Sequence, residues 1–384
     1  MKVLFVAPYF YPKVGGLENY VYNIGKNLAK KHEVIIVTSN HINKHLKIDY
    51  LENMKIYKLP ITFKLSNTPI NLLWIFQVNK ILKLEKPDVI NAHTPVPFLS
   101  EITLFLARFK KIPLYLTYHS GEMKKENRSY LNVIIWIYEA FVLRAIFKLS
   151  KKIICYGSTG DYLGSRFGLD NNKIVEIPPG VDSKKFKKIK SLDKLKNNIL
   201  YLGKIDSTAR WKGLDYLFNS IISLLKEGYD LNFNLVGEGD MVDYYSKKYS
   251  GLSDKIHFLG PQKYDHLPII FSQNSLLVLP SVTPSESFGM VLIEANSCEL
   301  PVIGSKVGGI PYVIKNGYNG ILVPPKDVKL LKAAIKNLLN DKSLSKKMGQ
   351  NGRKMVLEKF SWKKSSSKTE LLFGEVQTNE NCSS

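Results

Sequence analysis

The chain contains few cysteines, and this scarcity narrows the classes of protein to which it belongs. Only three of its 384 residues are cysteines, Cys155, Cys298 and Cys382, and no two of them have the spacing of metal ligands. A zinc site or a disulfide framework is therefore disfavoured, and a reducing compartment is indicated. We expect a cytoplasmic protein that holds no metal ion.

Long hydrophobic runs are also missing. The N-terminal stretch has one short apolar run, which is broken by Pro8 and Pro12, and it lacks the pattern of a signal peptide. The most apolar segment, residues 131–147, contains Glu139 and Arg144. It falls short of the ~20 apolar residues that a membrane-spanning helix needs. We expect this segment to form a buried or surface-lying helix.

Acidic residues are outnumbered. The chain has 33 Asp and Glu against 55 Lys and Arg, a net charge of +22. Residues 1–192 hold 30 basic and 14 acidic residues, which leaves +16 in the first half and +6 in the rest. Such a balance attracts nucleic acid, anionic lipid or phosphorylated small molecules. It is also typical of lysine-rich surfaces that bind nothing in particular, so charge alone leaves the partner open.

The remaining pattern is an alternation of short apolar strands with helices. The first half has five apolar runs, at 2–7, 33–38, 88–92, 113–118 and 152–156. Between the first two runs, residues 17–31 have apolar positions at the spacing of a helix. After a basic connector, six further runs follow at 198–202, 232–236, 256–259, 276–279, 301–304 and 320–323. Continuous apolar runs are typical of parallel strands that are covered on both faces. The sequence predicts two doubly wound α/β domains that meet near 178–196 and face a central cleft.

Ligands of such sheets bind beyond the carboxyl ends of the strands, so the loops there are informative. The first loop has Gly15 and Gly16 before a helix N-terminus, a place that favours phosphate. It lacks the G-x-G-x-x-G pattern, which disfavours a nicotinamide or flavin cofactor. A later loop, TYHSG, places His119 directly after a strand. At this position a histidine can donate or accept hydrogen bonds in a ligand site, and it can equally well make a structural hydrogen bond.

The second half offers cations and carboxylates on its loops. Lys204, Arg210 and Lys212 precede a helix and could clamp a pyrophosphate. The loop VGEGD at 236–240 has glycines where backbone would pass near a nucleotide. Glu286 and Glu294 lie eight positions apart around a glycine and an apolar run. Taken alone, a glutamate at a helix start is usually a capping or solvated residue.

Six short motifs follow one another along the chain: GG at 15–16, PPGVD at 178–182, LGK…KG at 202–213, VGEGD at 236–240, ESFGMVLIE at 286–294 and PVIGSKVGGIP at 301–311. In this order and spacing they resemble the retaining glycosyltransferases of family four, which have the GT-B fold of two Rossmann-like domains. The resemblance implies an N-terminal acceptor domain at 1–183 and a nucleotide-sugar donor domain at 184–360. It also implies a last helix at 361–384 that crosses back to the N-terminal domain, after FSW at 360–362.

The resemblance also implies roles for particular residues. Glu286 would approach the hydroxyls of the donor sugar, and Glu294 would bind the ribose, because carboxylates accept well from vicinal hydroxyls. The groups expected at the sugar and phosphates are the backbone N–H groups of Phe288, Gly289 and Met290, together with Gly15, Gly16, Lys204, Arg210 and Lys212. His119 would orient the donor and stabilise charge. The catalytic residues implied are thus His119, Glu286 and Lys212.

Three positions depart from the family pattern. Lys204 stands where the family usually has arginine, and a lysine lacks the bidentate fork, so Arg210 is expected to share the phosphate. Tyr312 follows Pro311 where glutamate is frequent, and Ser287 replaces a usual glycine. These changes leave the donor, for example a UDP- or GDP-hexose, undecided.

The implied activity is metal-independent hexosyl transfer from a nucleotide-sugar to a lipid-linked or other glycan acceptor, with retention and without a further cofactor. A sugar-nucleotide epimerase, a phosphorylase, or a non-catalytic basic module for membrane or nucleic acid are the alternatives; we expect no nucleic-acid partner. Lys124, Lys125 and Arg128 precede an aromatic segment with Trp136 and Tyr138. They predict reversible, peripheral binding to the anionic inner face of a membrane. The apolar positions of residues 131–147 fit a core helix of the domain equally well.

Overall fold

The computed structural model describes residues 1–13, 15–41, 45–65, 68–121, 123, 129–189, 191 and 197–381, without the side chains of 129–131 and 376–381. The chain forms two compact units. The first is Met1–Pro179 together with Trp362–Ser384, and the second is Gly180–Ser361. The membrane-binding cluster predicted at Lys124, Lys125 and Arg128 lies outside the described residues.

The first unit is built on an eight-stranded sheet with the order β10-β9-β8-β7-β1-β2-β4-β3, and β5 and β6 form a separate hairpin. All neighbours in the large sheet are parallel except β3 and β4. Its strands are β1 Lys2–Val6, β2 Glu33–Asn40, β3 Lys47–Leu51, β4 Met54–Pro60, β5 Phe63–Leu65, β6 Thr68–Ile70, β7 Val89–Thr94, β8 Leu114–Tyr118, β9 Lys152–Cys155 and β10 Ile174–Glu176.

Helices cover this sheet. In chain order they are α1 Gly16–Leu28, α2 Trp74–Glu85, α3 Leu99–Phe109, α4 Ser129–Ile137, a π-helix at Tyr138–Leu143, α5 Arg144–Leu149 and α6 Thr159–Phe167. A core of fully buried side chains, among them Leu4, Leu104 and Leu116, lies between sheet and helices. The five strands predicted for this half are present within two residues at each end. Strands β3 to β6 and β10 were not predicted.

The second unit has a six-stranded, all-parallel sheet with the order β13-β12-β11-β14-β15-β16. Its strands are β11 Asn198–Leu202, β12 Asn232–Val236, β13 Ile256–Phe258, β14 Leu276–Leu279, β15 Val302–Ser305 and β16 Gly320–Val323. Its α-helices are α7 Leu214–Lys226, α8 Val242–Lys248, α9 Leu267–Gln273, α10 Met290–Ser297, α11 Ile310–Val313, α12 Val328–Asn340 and α13 Lys342–Lys359. All six predicted strands are present, within one residue at each end. The predicted α/β class with two Rossmann-like domains is confirmed.

The last helix, α14 Trp362–Asn381, belongs to the first unit. The Trp362 ring packs edge-on against Tyr20 of α1, with ring centroids 5.9 Å apart. The Tyr115 hydroxyl of β8 donates to the Leu372 carbonyl at 2.9 Å. The last helix is therefore anchored to the same sheet as the first one.

Residues 131–147 form the apolar segment noted in the sequence. They span α4, the π-helix and the start of α5, and their outward side chains include Ile134, Trp136 and Phe141, all exposed. The segment is therefore a surface-lying helix whose inner side, at Leu143 and Phe147, is buried. Across the parts of the chain that the structure describes, no helix has both the length and the apolar character to cross a bilayer.

Candidate active site

The candidate site of the second unit is built on loops at the carboxyl ends of its strands. The loop after β11 forms a 3-10 helix, Ser207–Lys212, whose start is capped by the Asp206 carboxylate accepting from the Thr208 N–H at 2.8 Å. Gly213 ends it with φ +72°, and a Cβ there would overlap the Pro280 carbonyl oxygen. The Val282 N–H donates to the Trp211 carbonyl at 2.7 Å. This loop is thus fixed against the end of β14.

The packing of these loops brings Lys212 and Glu286 together. The Lys212 Nζ lies 2.8 Å from Glu286 Oε2, and the Ser281 hydroxyl donates to the same oxygen at 3.2 Å. The two charged side chains are only 18% and 11% exposed. Within the described residues Glu286 Oε1 accepts no hydrogen bond, so this oxygen is available to a ligand hydroxyl.

The glutamate is held by the segment that contains GGIP. The Gly309 N–H donates to the Glu286 carbonyl at 2.7 Å. A Cβ on Gly308 would overlap the Glu286 carbonyl oxygen, and a Cβ on Gly309 would overlap that of Ser287. Both glycines therefore serve close packing of two loop backbones, which positions the carboxylate.

This packing makes Gly309→Ala a direct test of the loop. We expect the substitution to cost about 2 kcal/mol or more of unfolding free energy, because the new Cβ meets backbone atoms that must move. Gly251→Ala is the matched control, since a Cβ there meets nothing within 4 Å. Thermal melting of both variants measures the effect. Equal stability of the two would contradict the packing argument.

Helix α10 carries the other predicted donor residues. Gly289 is its N-cap with φ +81°, Met290 begins the helix, and Phe288 is buried against Phe360 with ring centroids 5.6 Å apart. The backbone N–H groups at such a helix start have no partner within the helix and suit an anionic group. Phe288, Gly289 and Met290 therefore form one turn directly beyond Glu286.

Glu294 lies one turn further into α10 and is buried. The Tyr264 hydroxyl donates to Glu294 Oε1 at 3.1 Å. Burial raises the pKa of Glu294 to about 7, although the bond from Tyr264 and the charge of Lys185 act in the opposite direction. Burial therefore moves the titration of this carboxyl group from the acidic range toward neutral pH. Tyr264 was not identified from sequence, since it lies on a 3-10 turn, Tyr264–His266, that has no periodic pattern.

The glycines of VGEGD have a packing role. Gly237 and Gly239 have φ +148° and +153°, and a Cβ on either would overlap the carbonyl oxygen of Gly203 or Ile205. The Asp240 carboxylate accepts from the Ser207 N–H and hydroxyl, both at 2.6 Å. Close packing of this loop backbone therefore requires both glycines, and the interpretation that the backbone also passes near a nucleotide stays a prediction.

Lys204 and Arg210 remain at the surface of this loop. Both side chains are exposed, whereas Lys212 is partly buried. Of the three cations predicted to bind phosphate, Lys212 is the one that the fold brings to Glu286. Among the described residues, no three histidines, cysteines or carboxylates gather as a metal cluster.

In the first unit, Gly15 is the N-cap of α1 and Gly16 begins it. A Cβ on Gly16 would have nothing within 4 Å, whereas a Cβ on Gly15 would overlap the Glu18 carboxylate. Burial raises the pKa of Glu18, and the charge of Lys13 lowers it by a smaller amount. The helix start predicted to receive phosphate thus holds a carboxyl group, which sequence reasoning did not single out.

His119 lies directly after β8, as its position in the sequence predicts, within a cluster of aromatic rings. Its Nε2 is 2.7 Å from His93 Nδ1, and its Nδ1 is 2.8 Å from the Tyr156 hydroxyl. Tyr20 packs edge-on to the ring with centroids 5.2 Å apart. Burial lowers the pKa of His119 to about 3, so the ring is neutral at pH 7. A neutral ring acts through hydrogen bonds rather than through a positive charge.

His93 and Tyr156 were not singled out from sequence. His93 is fully buried at the end of β7, and burial lowers its pKa well below the usual range. Its position opposite Thr117 in the neighbouring strand brings it beside the loop of His119. The cue available in the sequence was a histidine one residue before the end of an apolar strand, which fits a core residue equally well.

Comparisons with known proteins agree with this arrangement. Residues 182–355 match the family described as Glycosyl transferases group 1, and residues 14–185 match Glycosyltransferase Family 4. An uncharacterised glycosyltransferase of Methanocaldococcus jannaschii is 30% identical over 95% of each chain. A human protein, one of the subunits of phosphatidylinositol N-acetylglucosaminyltransferase, is 26% identical over 98% of this chain and 76% of its own.

A solved structure shares the fold. Anabaena HepE in complex with UDP-glucose has a TM-score of 0.73 and 18% identity, covering 99% of this chain and 100% of its own. The family matches cover both units, and the relative from Methanocaldococcus jannaschii spans nearly the whole chain. The chain therefore belongs to the group 1 glycosyltransferases of family four, and it is a glycosyltransferase with the GT-B fold.

Proposed function

We propose that the protein transfers a hexose from a nucleotide-diphosphate sugar to a lipid-linked or other glycan acceptor, with retention of the anomeric configuration and without a metal ion. The observation that carries the proposal is the contact between Lys212 and Glu286 in the second unit. It joins a cation suited to a pyrophosphate with a carboxylate suited to sugar hydroxyls. Both lie beside the start of α10.

Lys212 supplies the charge that the reaction needs. As the bond between the sugar C1 and the phosphate oxygen breaks, negative charge develops on the leaving nucleoside diphosphate. A preorganised ammonium in a partly buried site stabilises such charge more than water does. The Nζ also contacts the face of Trp211, 4.4 Å from the ring centroid, which restricts its position. This charge takes the place of a divalent cation.

Glu286 positions the sugar. Its Oε2 is occupied by Lys212 and Ser281, and its Oε1 accepts from the donor hydroxyls. The acceptor hydroxyl attacks C1 from the face that the phosphate leaves, and its proton passes to the departing phosphate oxygen. One C–O bond forms as the other breaks, and the configuration at C1 is retained. No protein nucleophile is required.

Glu294 binds the ribose of the donor. An ionised carboxylate accepts from two vicinal hydroxyls in charge-assisted bonds, and Tyr264 holds Oε1 in place. The backbone N–H groups of Phe288, Gly289 and Met290 face the sugar and phosphates, with Lys204 and Arg210 as further cations for the pyrophosphate. In the first unit, Gly15 and Gly16 bind the distal phosphate, and the neutral His119 orients the donor.

Two of the similar proteins support the choice of substrates. The complex of HepE with UDP-glucose favours a UDP-hexose donor. The name of the human relative joins N-acetylglucosamine with phosphatidylinositol, which favours a lipid-linked acceptor. We assign the acceptor to the N-terminal domain and the donor to the C-terminal domain. A cytoplasmic enzyme bound peripherally at the inner face of the membrane fits such an acceptor.

Radiolabelled donors test the proposal. The purified protein is incubated with UDP-glucose, UDP-N-acetylglucosamine or GDP-mannose, with and without a lipid extract or oligosaccharides, in the presence of EDTA. We expect label to move to the acceptor despite EDTA, and NMR of the product to show the anomer of the donor. A changed sugar without acceptor would indicate an epimerase. An inverted anomer or a requirement for metal would overturn those parts of the proposal.

A further inference from the structure

The first unit presents an apolar ridge on its helical surface. We define this ridge as the outward side chains of α4 and the π-helix, Val133, Ile134, Trp136, Ile137 and Phe141. Trp136 is 55% exposed and Phe141 is 68% exposed. Soluble proteins rarely expose so many large apolar side chains side by side, so the ridge marks an interaction surface.

Helix α3 adds two aromatic rings to the same helical surface. Phe105 and Phe109 are exposed and pack edge to face, with ring centroids 4.7 Å apart. The Tyr138 hydroxyl of the π-helix donates to Glu101 Oε1 of α3 at 2.6 Å, and α3 also packs against α5. The apolar surface therefore extends over neighbouring helices.

Cations continue the surface where the ridge ends. Arg144 and Lys148 of α5 are exposed, and they follow Ile137 and Phe141 directly along the same helical segment. Residues 141–173 contain six Lys and Arg against two Asp. The apolar ridge thus passes into a basic region.

A pocket lies in that basic region. Its volume is about 460 Å³, and Arg144, Lys148, Lys173, Phe147 and Phe167 are among its lining residues. The Arg144 guanidinium lies over the Phe167 ring, 5.8 Å from its centroid. Arginine and lysine side chains that line a partly apolar pocket suit a phosphate group that is attached to a hydrocarbon body.

We infer that this surface docks on an anionic phospholipid bilayer. The apolar ridge enters the boundary between headgroups and acyl chains, and the pocket of Arg144, Lys148 and Lys173 receives a headgroup phosphate. Helices with exposed Trp and Phe beside basic residues lie in this way in the plane of a membrane. The inference rests on the proposed function, which places the enzyme at the inner face of a membrane, and it names the surface that binds there. The docking itself requires no nucleotide-sugar, so vesicle binding and sugar transfer can fail independently.

Charge selects lipid over a second copy of the chain as the occupant. The first unit, residues 1–179 with 362–384, holds 28 Lys and Arg against 16 Asp and Glu, a net +12, so two such units meeting face to face would repel one another. An anionic leaflet has the opposite sign and attracts them. The apolar ridge alone would fit either occupant, but the basic region beside it fits only the leaflet.

Cosedimentation with vesicles tests the inference. The full chain is mixed with vesicles of phosphatidylcholine containing phosphatidylglycerol, with pure phosphatidylcholine vesicles as the comparison. We expect binding to the anionic vesicles at low salt that weakens as salt rises. The pairs Ile137→Ser with Phe141→Ser, and Arg144→Glu with Lys148→Glu, should each reduce the partition coefficient about tenfold or more. Lys346→Glu with Lys347→Glu, exposed on α13 in the second unit, is the control with the same charge change.

Tryptophan fluorescence gives a second measurement on the unmodified chain. The protein has four tryptophans, and Trp136 is the one on the apolar ridge. Vesicles with brominated acyl chains should quench its emission, and Trp136→Phe should abolish most of the quenching. The inference would be overturned if the two double variants of the ridge and the basic region bound vesicles as well as the control variant does. Absence of quenching in the unmodified protein would overturn it too. If the unmodified protein self-associates, does not bind vesicles and loses the self-association on Phe141→Ser, the ridge is assigned to a second copy of the chain instead.

Discussion

Lys212→Ala is expected to lower turnover by roughly 10²–10³-fold, the range for loss of one preorganised charge stabiliser. The Lys212 Nζ lies 2.8 Å from Glu286 Oε2 in a site where the lysine side chain is 18% exposed. Its removal takes away the charge that stabilises the leaving diphosphate. It also leaves the Glu286 carboxylate without its cation. Steady-state kinetics with the donor found in the labelling experiment measure the effect.

Two further variants distinguish a loss of the Lys212 charge from a general loss of structure. Lys204→Ala changes an exposed cation on the same loop and should cost less than Lys212→Ala. The double variant Lys212→Ala with Glu286→Ala should be little worse than either single variant, because the two side chains act as a unit. Thermal melting checks that each variant is folded. A change below threefold in both kcat and KM for Lys212→Ala would remove the lysine from the site.

The burial of a strand explains whether its sequence predicts it. The strands of the second unit, such as Leu276–Leu279, are buried on both faces and form continuous apolar runs. In the first unit, β3 is largely exposed, and β4 alternates, with Lys55 and Lys58 interrupting its apolar positions. These strands lie at one edge of the sheet, where apolar runs are not required. An apolar-run criterion therefore misses them.

The site could be predicted in part. Lys212 and Glu286 are 74 positions apart, and no local pattern states that their charges meet at 2.8 Å. The family motifs point to both residues, while the contact depends on how Gly213, Gly308 and Gly309 let the loops pack. Partners without a motif, such as Tyr264 for Glu294, become visible only in the fold.

Glu294→Gln is expected to weaken binding of the bare nucleotide about tenfold or more at pH 8, since a bond to a charged group is lost. Glu286→Gln is the matched control: it should leave nucleotide affinity nearly intact and reduce transfer, because its partner is the sugar. Calorimetry with the nucleotide measures both. The affinity of the unmodified protein should itself rise as pH increases through about 7, the pKa to which burial raises Glu294. Equal losses in the two variants would mean that the carboxylates are wrongly assigned.

Glu294→Gln should also stabilise the ligand-free protein against unfolding. The folded pKa of Glu294, about 7, lies above its unfolded value of 4.5, so the folded state binds more protons between these values and loses stability as pH rises. The accumulated cost is about 3 kcal/mol at pH 8, and glutamine, which never ionises, avoids it. Melting temperatures of the variant and the unmodified protein should therefore diverge from pH 4.5 to pH 7 and keep a constant difference above that. Glu286→Gln should melt lower, since it removes the partner of Lys212. The contrary result is a difference in melting temperature between Glu294→Gln and the unmodified protein that is no larger at pH 8 than at pH 4.5. It would show that this carboxyl group ionises in the folded protein without a loss of stability. The expected pH dependence of nucleotide binding would then fail as well.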